Sequence, residues 1–220
     1  MSVIYDIFKD DSVKELEDYF MEFLNLKKKE NIEIELRVGQ IINTITNKRI
    51  EIPTNHPVFF CLNNNIRKYQ NMEFRSGVDQ KIFNSIFNKI DQGKNRYKLI
   101  ETTVYSHAQG RYIYDDKGLI ECHRKERLSH IEIYFPNKLY DVRISISQEI
   151  PIPFKKLTAE QRKLTHERRH KRKRIEMDGF YFDFTIINQN RPDMCYEIEV
   201  ECKNLDFDKN LFMQIVYGIS

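Results

Sequence analysis

Hydrophobic positions along this 220-residue chain recur with two different periods. Ser12-Val13-Lys14-Glu15 has the form of a capping box, and Val13, Leu16, Phe20, Phe23 and Leu24 follow at helical spacing, which predicts a helix over 12–26. Ile82, Phe83, Ile86, Phe87 and Ile90 repeat the pattern with Gly93 just beyond, predicting a second helix over 78–90, and a third is expected from Asp208 to the end. Elsewhere the period is two. Strands are predicted over 31–38, 41–52, 58–62, 71–76, 97–107, 111–115, 118–127, 130–135, 140–149, 168–177, 180–187 and 195–202, several joined by short turns. The expected fold is a β-dominated α+β domain whose antiparallel sheet closes on itself.

Alternation gives each strand one apolar and one charged face. Ile32, Ile34, Leu36 and Val38 share one side of the first strand, and Glu33, Glu35 and Arg37 the other. Glu197, Glu199 and Glu201 align in the same way near the end of the chain, and Val142, Ile144 and Ile146 oppose Arg143 and Glu149. If helices cover the apolar faces, the charged faces line a hydrated tunnel; strands with one solvated face would show the same alternation. Five carboxylates on two paired strands would repel one another, so pairing calls for a cation between them. Glu33 and Glu35, with Glu199 or Glu201, offer three hard oxygen ligands to Mg²⁺ or Mn²⁺.

Composition narrows the class. Hydrophobic residues make up 40%, aromatics 12%, and glycine and proline are sparse, which excludes a low-complexity chain and fits one domain over residues 1–220. The net charge of +3 conceals segregation, since the segment from Lys155 to Arg174 is rich in Lys and Arg. The start has no basic, apolar leader, and no run reaches membrane-spanning length, so a soluble intracellular protein with no membrane partner is expected. Cys61, Cys122, Cys195 and Cys202 show no CxxC spacing and are expected as free thiols.

The basic run Arg168-Arg169-His170-Lys171-Arg172-Lys173-Arg174 holds phosphate binders in both strand phases. Arg172 and Arg174 share one side, Lys171 and Lys173 the other, and a slip of one residue would exchange them. An external RNA-binding stripe, with the glutamates merely solvated, or a nuclear-import patch would use the same residues. His166-Glu167-Arg168-Arg169-His170 matches HExxH letter for letter, but its arginines make a poor setting for Zn²⁺. A cysteine-phosphatase loop needs five residues between Cys and Arg, and Cys122 and Arg127 have four; no GxxxxGK[ST] loop is present.

Glu33-Ile34-Glu35-Leu36-Arg37 and Glu197-Ile198-Glu199-Val200-Glu201 resemble the two glutamate strands of the triphosphate tunnel metalloenzymes, and most closely those of the fungal and protozoal mRNA 5′-triphosphatases. Phe74-Arg75-Ser76-Gly77-Val78 and the stretch from Tyr140 to Pro153 extend the resemblance over most of the chain. It implies an eight-stranded antiparallel tunnel with helices on its outer face. The implied reaction is removal of the γ-phosphate of 5′-triphosphate RNA with Mg²⁺ or Mn²⁺, with NTP hydrolysis alongside. A tunnel acting on inorganic tripolyphosphate or another small triphosphate is the alternative. On the matching positions, Glu33, Glu35 and Glu201 would hold the metal, with Glu197 and Glu199 organising the floor. Arg111, Lys125, Arg172 and Arg174 would grip the phosphates, Arg143 would support them, and Glu149 would orient the attacking water. Where the family has Arg-x-Asp-x-Thr this chain has Tyr181-Phe182-Asp183-Phe184-Thr185, one basic position fewer. The yeast enzymes' long N-terminal docking extension has no counterpart, and no Lys-x-Asp-Gly motif for guanylyl transfer occurs, so a separate mRNA guanylyltransferase is the expected partner and the nucleus the expected location.

Overall fold

A computed structural model describes residues 30–63, 71–94, 96–163, 165–188 and 194–219; the predicted helix over 12–26 lies outside them. In chain order the elements are β1 (Ile32–Asn43), β2 (Lys48–Arg49), β3 (Val58–Asn63), β4 (Met72–Ser76), α1 (Gln80–Asp91), β5 (Tyr97–His107), β6 (Gly110–Asp115), β7 (Gly118–Tyr134), β8 (Asp141–Pro151), α2 (Ala159–Lys163), β9 (His166–Met177), β10 (Phe180–Asn188), β11 (Cys195–Cys202) and α3 (Lys209–Ile219). Antiparallel pairing runs β11-β10-β9-β5-β6-β7-β8-β1, and β1 pairs back onto β11, so eight strands close a ring. β2 and β4 extend the far half of β1, and β3 borders β7.

The apolar faces point out of the ring. Ile34, Leu36 and Val38 of β1, Val142, Ile144 and Ile146 of β8, Phe180, Phe182 and Phe184 of β10, and Ile198 and Val200 of β11 belong to one buried cluster with residues of α1 and α3. Phe83 and Phe87 of α1 meet Phe184 edge-on, with ring centroids 5.6 and 5.2 Å apart, and Phe212 of α3 stacks on Phe180 at 5.8 Å. Each large apolar side chain buried this way contributes about 1.5–3 kcal/mol, so the helices are what hold the charged faces inward. α1 begins where Asp79 accepts a hydrogen bond from the Ile82 amide (2.9 Å) and ends on Gln92 in the left-handed region. Asp208 caps α3 through the Leu211 amide, at the start its sequence suggests.

Several predicted boundaries change. β1 continues through Gly39, where a Cβ would lie 2.2 Å from the Arg75 carbonyl oxygen; only a glycine admits β4 so closely beside β1. The predicted strand over 41–52 is instead the end of β1, a turn, and the two-residue β2. Strands expected at 118–127 and 130–135 are one strand, β7, interrupted between Arg127 and Ser129 by a bulge. Before the bulge the odd residues His123 and Lys125 face the lumen. After it Ile131 and Ile133 turn outward and Glu132 inward, because the extra residue shifts the phase by one. α2 carries no buried residue and no periodic signal announced it. Asp141, completely buried, accepts hydrogen bonds from the Ile41 (2.9 Å) and Phe135 (3.1 Å) amides and from Arg49 Nε (2.9 Å), tying β1, β8 and the end of β7 together.

Candidate active site

The lumen is a cavity of about 380 Å³ lined by charged side chains from seven of the eight ring strands. β1 supplies Glu33, Glu35 and Arg37; β11 supplies Glu197, Glu199 and Glu201; the two strands are direct neighbours, with Glu35 opposite Glu201 and Arg37 opposite Glu199. β9 contributes Arg168, His170, Arg172 and Arg174; β10 adds Asp183 and Thr185; Arg111 comes from β6, Glu121, His123 and Lys125 from β7, and Glu149 from β8. β5 closes the ring with the uncharged side chains of Ile100, Thr102, Val104 and Ser106.

Ion pairs join these walls. Arg37 bonds Glu35, lies 2.7 Å from Glu199 and reaches Glu197 at 3.6 Å. Lys125 contacts Glu33 and lies 2.8 Å from Glu35. Asp183, 1% exposed, accepts from Arg174 Nε (2.7 Å) and Nη2 (2.6 Å) and pairs with Arg172 Nη1 (2.9 Å); Arg174 also reaches Glu201 at 3.0 Å, and Arg172 donates to the Thr185 hydroxyl at 3.2 Å. Ser76 donates to Glu197 at 3.1 Å.

Crowding shows in the acidities. Burial, and then the neighbouring Glu35 charge, push Glu33 up to about 7; burial does the same to Glu199 despite Arg37. Glu201 is raised by burial against the opposing pull of Arg174. Burial would also raise Glu35, but Arg37 and Lys125 hold it well below the usual carboxylate range. The Lys125 ammonium is raised because Glu35 and Glu33 outweigh its burial, and His170 is lowered to about 4 by burial and by Arg172 and Arg168.

Every glutamate singled out from the sequence lines this cavity, as do Arg111, Lys125, Arg172 and Arg174. Lys171 and Lys173 lie on the opposite face: Lys173 Nζ sits 4.3 Å from the Phe87 ring centroid, outside the ring, and Lys171 pairs with Glu101. Arg143 is not with the phosphate candidates. Its guanidinium bonds Glu132 (3.1 Å from Nε) and lies 4.5 Å above the Phe74 ring, and it does not line the cavity. Glu33, Glu35 and Glu201 share the lumen, but Lys125, Arg37 and Arg174 each hold one or more of their carboxylates.

Two alternatives lose their premises. His166 and His170 lie on a strand, where residues four apart are about 13 Å from each other and cannot share one zinc. The glutamates are not solvated: Glu35, Glu197 and Glu199 are 6–7% exposed. Cys61 and Arg67 do have five residues between them, with no glycine among these, but Arg67 lies outside the described residues and Cys61 is on β3, outside the ring. Sequence reasoning passed over Arg37, Glu121, His123, Arg168, His170 and Asp183 as site residues. All but Asp183 share strand parity with a residue already singled out, and Asp183 stood in the Asp-x-Thr of the family pattern.

The donor set fits a hard divalent cation. Among the described residues the lumen holds eight carboxylates and six permanent cations, so two negative charges stand in excess when all are ionised, and the acids are gathered on the β1–β11 wall. Residues 6–215 match the family described as mRNA capping enzyme, beta chain. The mRNA-capping enzyme subunit beta of Schizosaccharomyces pombe is 25% identical over 158 residues, and that of Candida albicans 26% over 202. The alignments cover 64% and 80% of this chain, which spans 52% and 38% of those relatives' length. Among solved structures, the S. pombe Pct1 RNA triphosphatase in complex with the Spt5 CTD superposes with a TM-score of 0.70 at 23% identity, over 89% of this chain and 81% of that one. The Mimivirus capping enzyme triphosphatase gives 0.53 at 13% identity over 96% of each. These two likenesses concern the fold, a closed eight-stranded antiparallel tunnel. With the family match running over nearly all of its length, the chain belongs to the mRNA capping enzyme beta chain family.

Proposed function

We propose that this chain is an RNA 5′-triphosphatase of mRNA capping, hydrolysing the γ-phosphate of 5′-triphosphate RNA to leave a 5′-diphosphate end. The observation that carries the reading is the pairing of two acidic strands, Glu35 opposite Glu201, inside a closed ring whose β9 strand turns Arg172 and Arg174 into the same lumen. A polyanion that brings its own divalent ion is complementary to both walls at once, whereas a phosphate chain alone would meet the acids unshielded.

Glu33, Glu35 and Glu201 would hold Mg²⁺ or Mn²⁺, with Glu197 and Glu199 keeping Arg37 over the floor between them. The bound ion supplies charge neutralisation on the phosphate oxygens. The rest falls to the chain's own side chains. Lys125 bridges Glu33 and Glu35, and a phosphate chain in the lumen offers its ammonium a new partner, freeing both carboxylates. Arg111, Arg172 and Arg174 bind the non-bridging oxygens, the latter two pre-aimed by Asp183 so that little side-chain freedom is lost on binding. Arg143, tied to Glu132 on the inner face but beyond the cavity lining, supports the ring rather than touching phosphate. Glu149 orients a water for in-line attack on the γ-phosphorus, and the bond from that phosphorus to the β–γ bridging oxygen breaks, giving inorganic phosphate and 5′-diphosphate RNA.

The relatives' description as beta subunits supports a separate guanylyltransferase as partner, and a role in capping supports a nuclear location. The test is phosphate release from 5′-triphosphate RNA with Mg²⁺ or Mn²⁺. Glu33→Ala and Glu201→Ala should each lower kcat by about 10²-fold or more. Undiminished release in both variants rejects the metal assignment, and a higher kcat/KM for tripolyphosphate than for RNA rejects the substrate.

A further inference from the structure

We propose that Glu121, His123 and Glu149 form a second divalent-cation site in the tunnel, one that takes a first-row transition cation such as Mn²⁺ in preference to Mg²⁺. Glu121 and His123 stand two apart on one face of β7, and Glu149 reaches across from β8, where its register partner is Lys125. One donor atom from each of the three lies within 4.8 Å of the others. His123 Nδ1 is 2.7 Å from Glu121 Oε1, and its Nε2 is 3.4 Å from Glu149 Oε1. Adjacent donors on an octahedral ion are separated by about 3 Å, so an ion held through Nε2 has Glu149 at about that separation, and the half-exposed Glu121 side chain turns towards it.

A second observation points the same way. His123 is only 6% exposed, yet neither ring nitrogen has a partner in hydrogen-bond geometry. The 2.7 Å approach to Glu121 is close but misaligned, and a buried imidazole left unsatisfied is unfavourable by about 1–3 kcal/mol, so its carboxylate neighbours do not by themselves meet the ring's needs. Coordination through one nitrogen meets that need. Imidazole with two carboxylates suits Mn²⁺, Fe²⁺, Co²⁺ or Zn²⁺ better than Mg²⁺. Glu121 is half-exposed, so solvent or a phosphate oxygen can complete the coordination from the lumen.

The site is distinct from the β1–β11 acids. Those are all-oxygen donors on other strands, and Lys125, the next lumen-facing residue of β7 after His123, stands between the two groups. Arg111 is the register partner of His123 on β6, so an ion here would add its charge on the same side as a proposed phosphate ligand. The site rests on its own donors and not on the triphosphatase reading.

The test loads the metal-free full chain with Mn²⁺, counts bound ions from the loss of the free six-line paramagnetic resonance signal, and records spin-echo envelope modulation for a directly bonded ¹⁴N. Wild type should bind two ions per chain and show the nitrogen modulation. His123→Gln should bind one and lose the modulation. Glu121→Gln, at a half-exposed position that tolerates exchange, should weaken the nitrogen-bearing site about 10-fold or more. The double variant Glu33→Gln/Glu201→Gln should lose the other ion and keep the modulation, as should His170→Gln, which removes the neighbouring lumenal imidazole. Wild type without ¹⁴N modulation, or modulation that survives His123→Gln, overturns the proposal; a single ion that carries the modulation would remove the β1–β11 ion and leave this site standing. Absence of phosphate release from RNA would defeat the proposed function and leave this count untouched.

Discussion

Asp183→Ala isolates the clamp that aims the two arginines. Asp183 is 1% exposed and its two oxygens receive three guanidinium contacts at 2.6–2.9 Å from Arg172 and Arg174. Removing one partner of a buried pair typically costs about 3–5 kcal/mol, because the charge left behind has lost its solvation. Here Arg174 keeps Glu201 at 3.0 Å and Arg172 keeps Glu199 at 3.6 Å, so the low end applies. About 3 kcal/mol in a domain of this size corresponds to a fall in Tm of about 6–12 °C. Asp183→Asn, which keeps the shape and one acceptor oxygen, should fall in between. The deficit should respond to anions, since tripolyphosphate at about 100 times its Kd returns about 2.7 kcal/mol, close to the whole loss. Melts followed by circular dichroism, with and without tripolyphosphate, read both effects. A fall in Tm of less than about 2 °C refutes the energetics. A larger fall that tripolyphosphate leaves unchanged refutes the idea that the arginines aimed by Asp183 bind phosphate.

Asp141→Ala should cost about 3–5 kcal/mol in urea unfolding, because it takes the carboxylate from Arg49, which keeps only the Phe135 carbonyl, and orphans the Ile41 and Phe135 amides; Mn²⁺ stoichiometry in the folded variant should not change. Lys173→Ala should cost only about 0.5–1 kcal/mol through its lost ring contacts and leave phosphate release intact, whereas Arg174→Ala should lower kcat by about 10²-fold; the reverse order would mean that β9 is misregistered by one residue. His170 faces Arg168 and Arg172 on its own strand, Arg37 on β1 and Arg111 on β6, and burial with these charges lowers it to about 4. Its folded value lies below the unfolded one, so the stability it favours is present above about pH 6.5 and is lost as pH falls towards 4, about 3 kcal/mol in all. Urea unfolding at pH 7, 5.5 and 4.5 should therefore show wild type losing more than His170→Asn, and parallel losses would count against it.

Much of the fold was legible in the residues alone. Period-two alternation fixed which side chains share a face in β1, β9 and β11, period-3.6 apolar positions with Gly93 beyond them marked α1, and α3 begins at the Asp208 from which it was expected. These signals are local, so they survive without knowledge of what lies opposite. Alternation says that a strand has two different faces and nothing about which is inside. That was settled by Phe83, Phe87 and Phe212 covering the phenylalanines of β10, a contact between residues far apart in sequence. The bulge after Arg127 reversed the facing of half of β7, and closure of β1 on β11 brought Glu35 opposite Glu201 across 166 positions of chain. Pairing of β9 with β5 and β10 made an apparent zinc motif a plain strand, and the ring gathered Asp183 and His123 into the lumen. Sequence determined the chemistry carried by each strand; only the ring, by making distant strands neighbours, decided which charges must share one small volume.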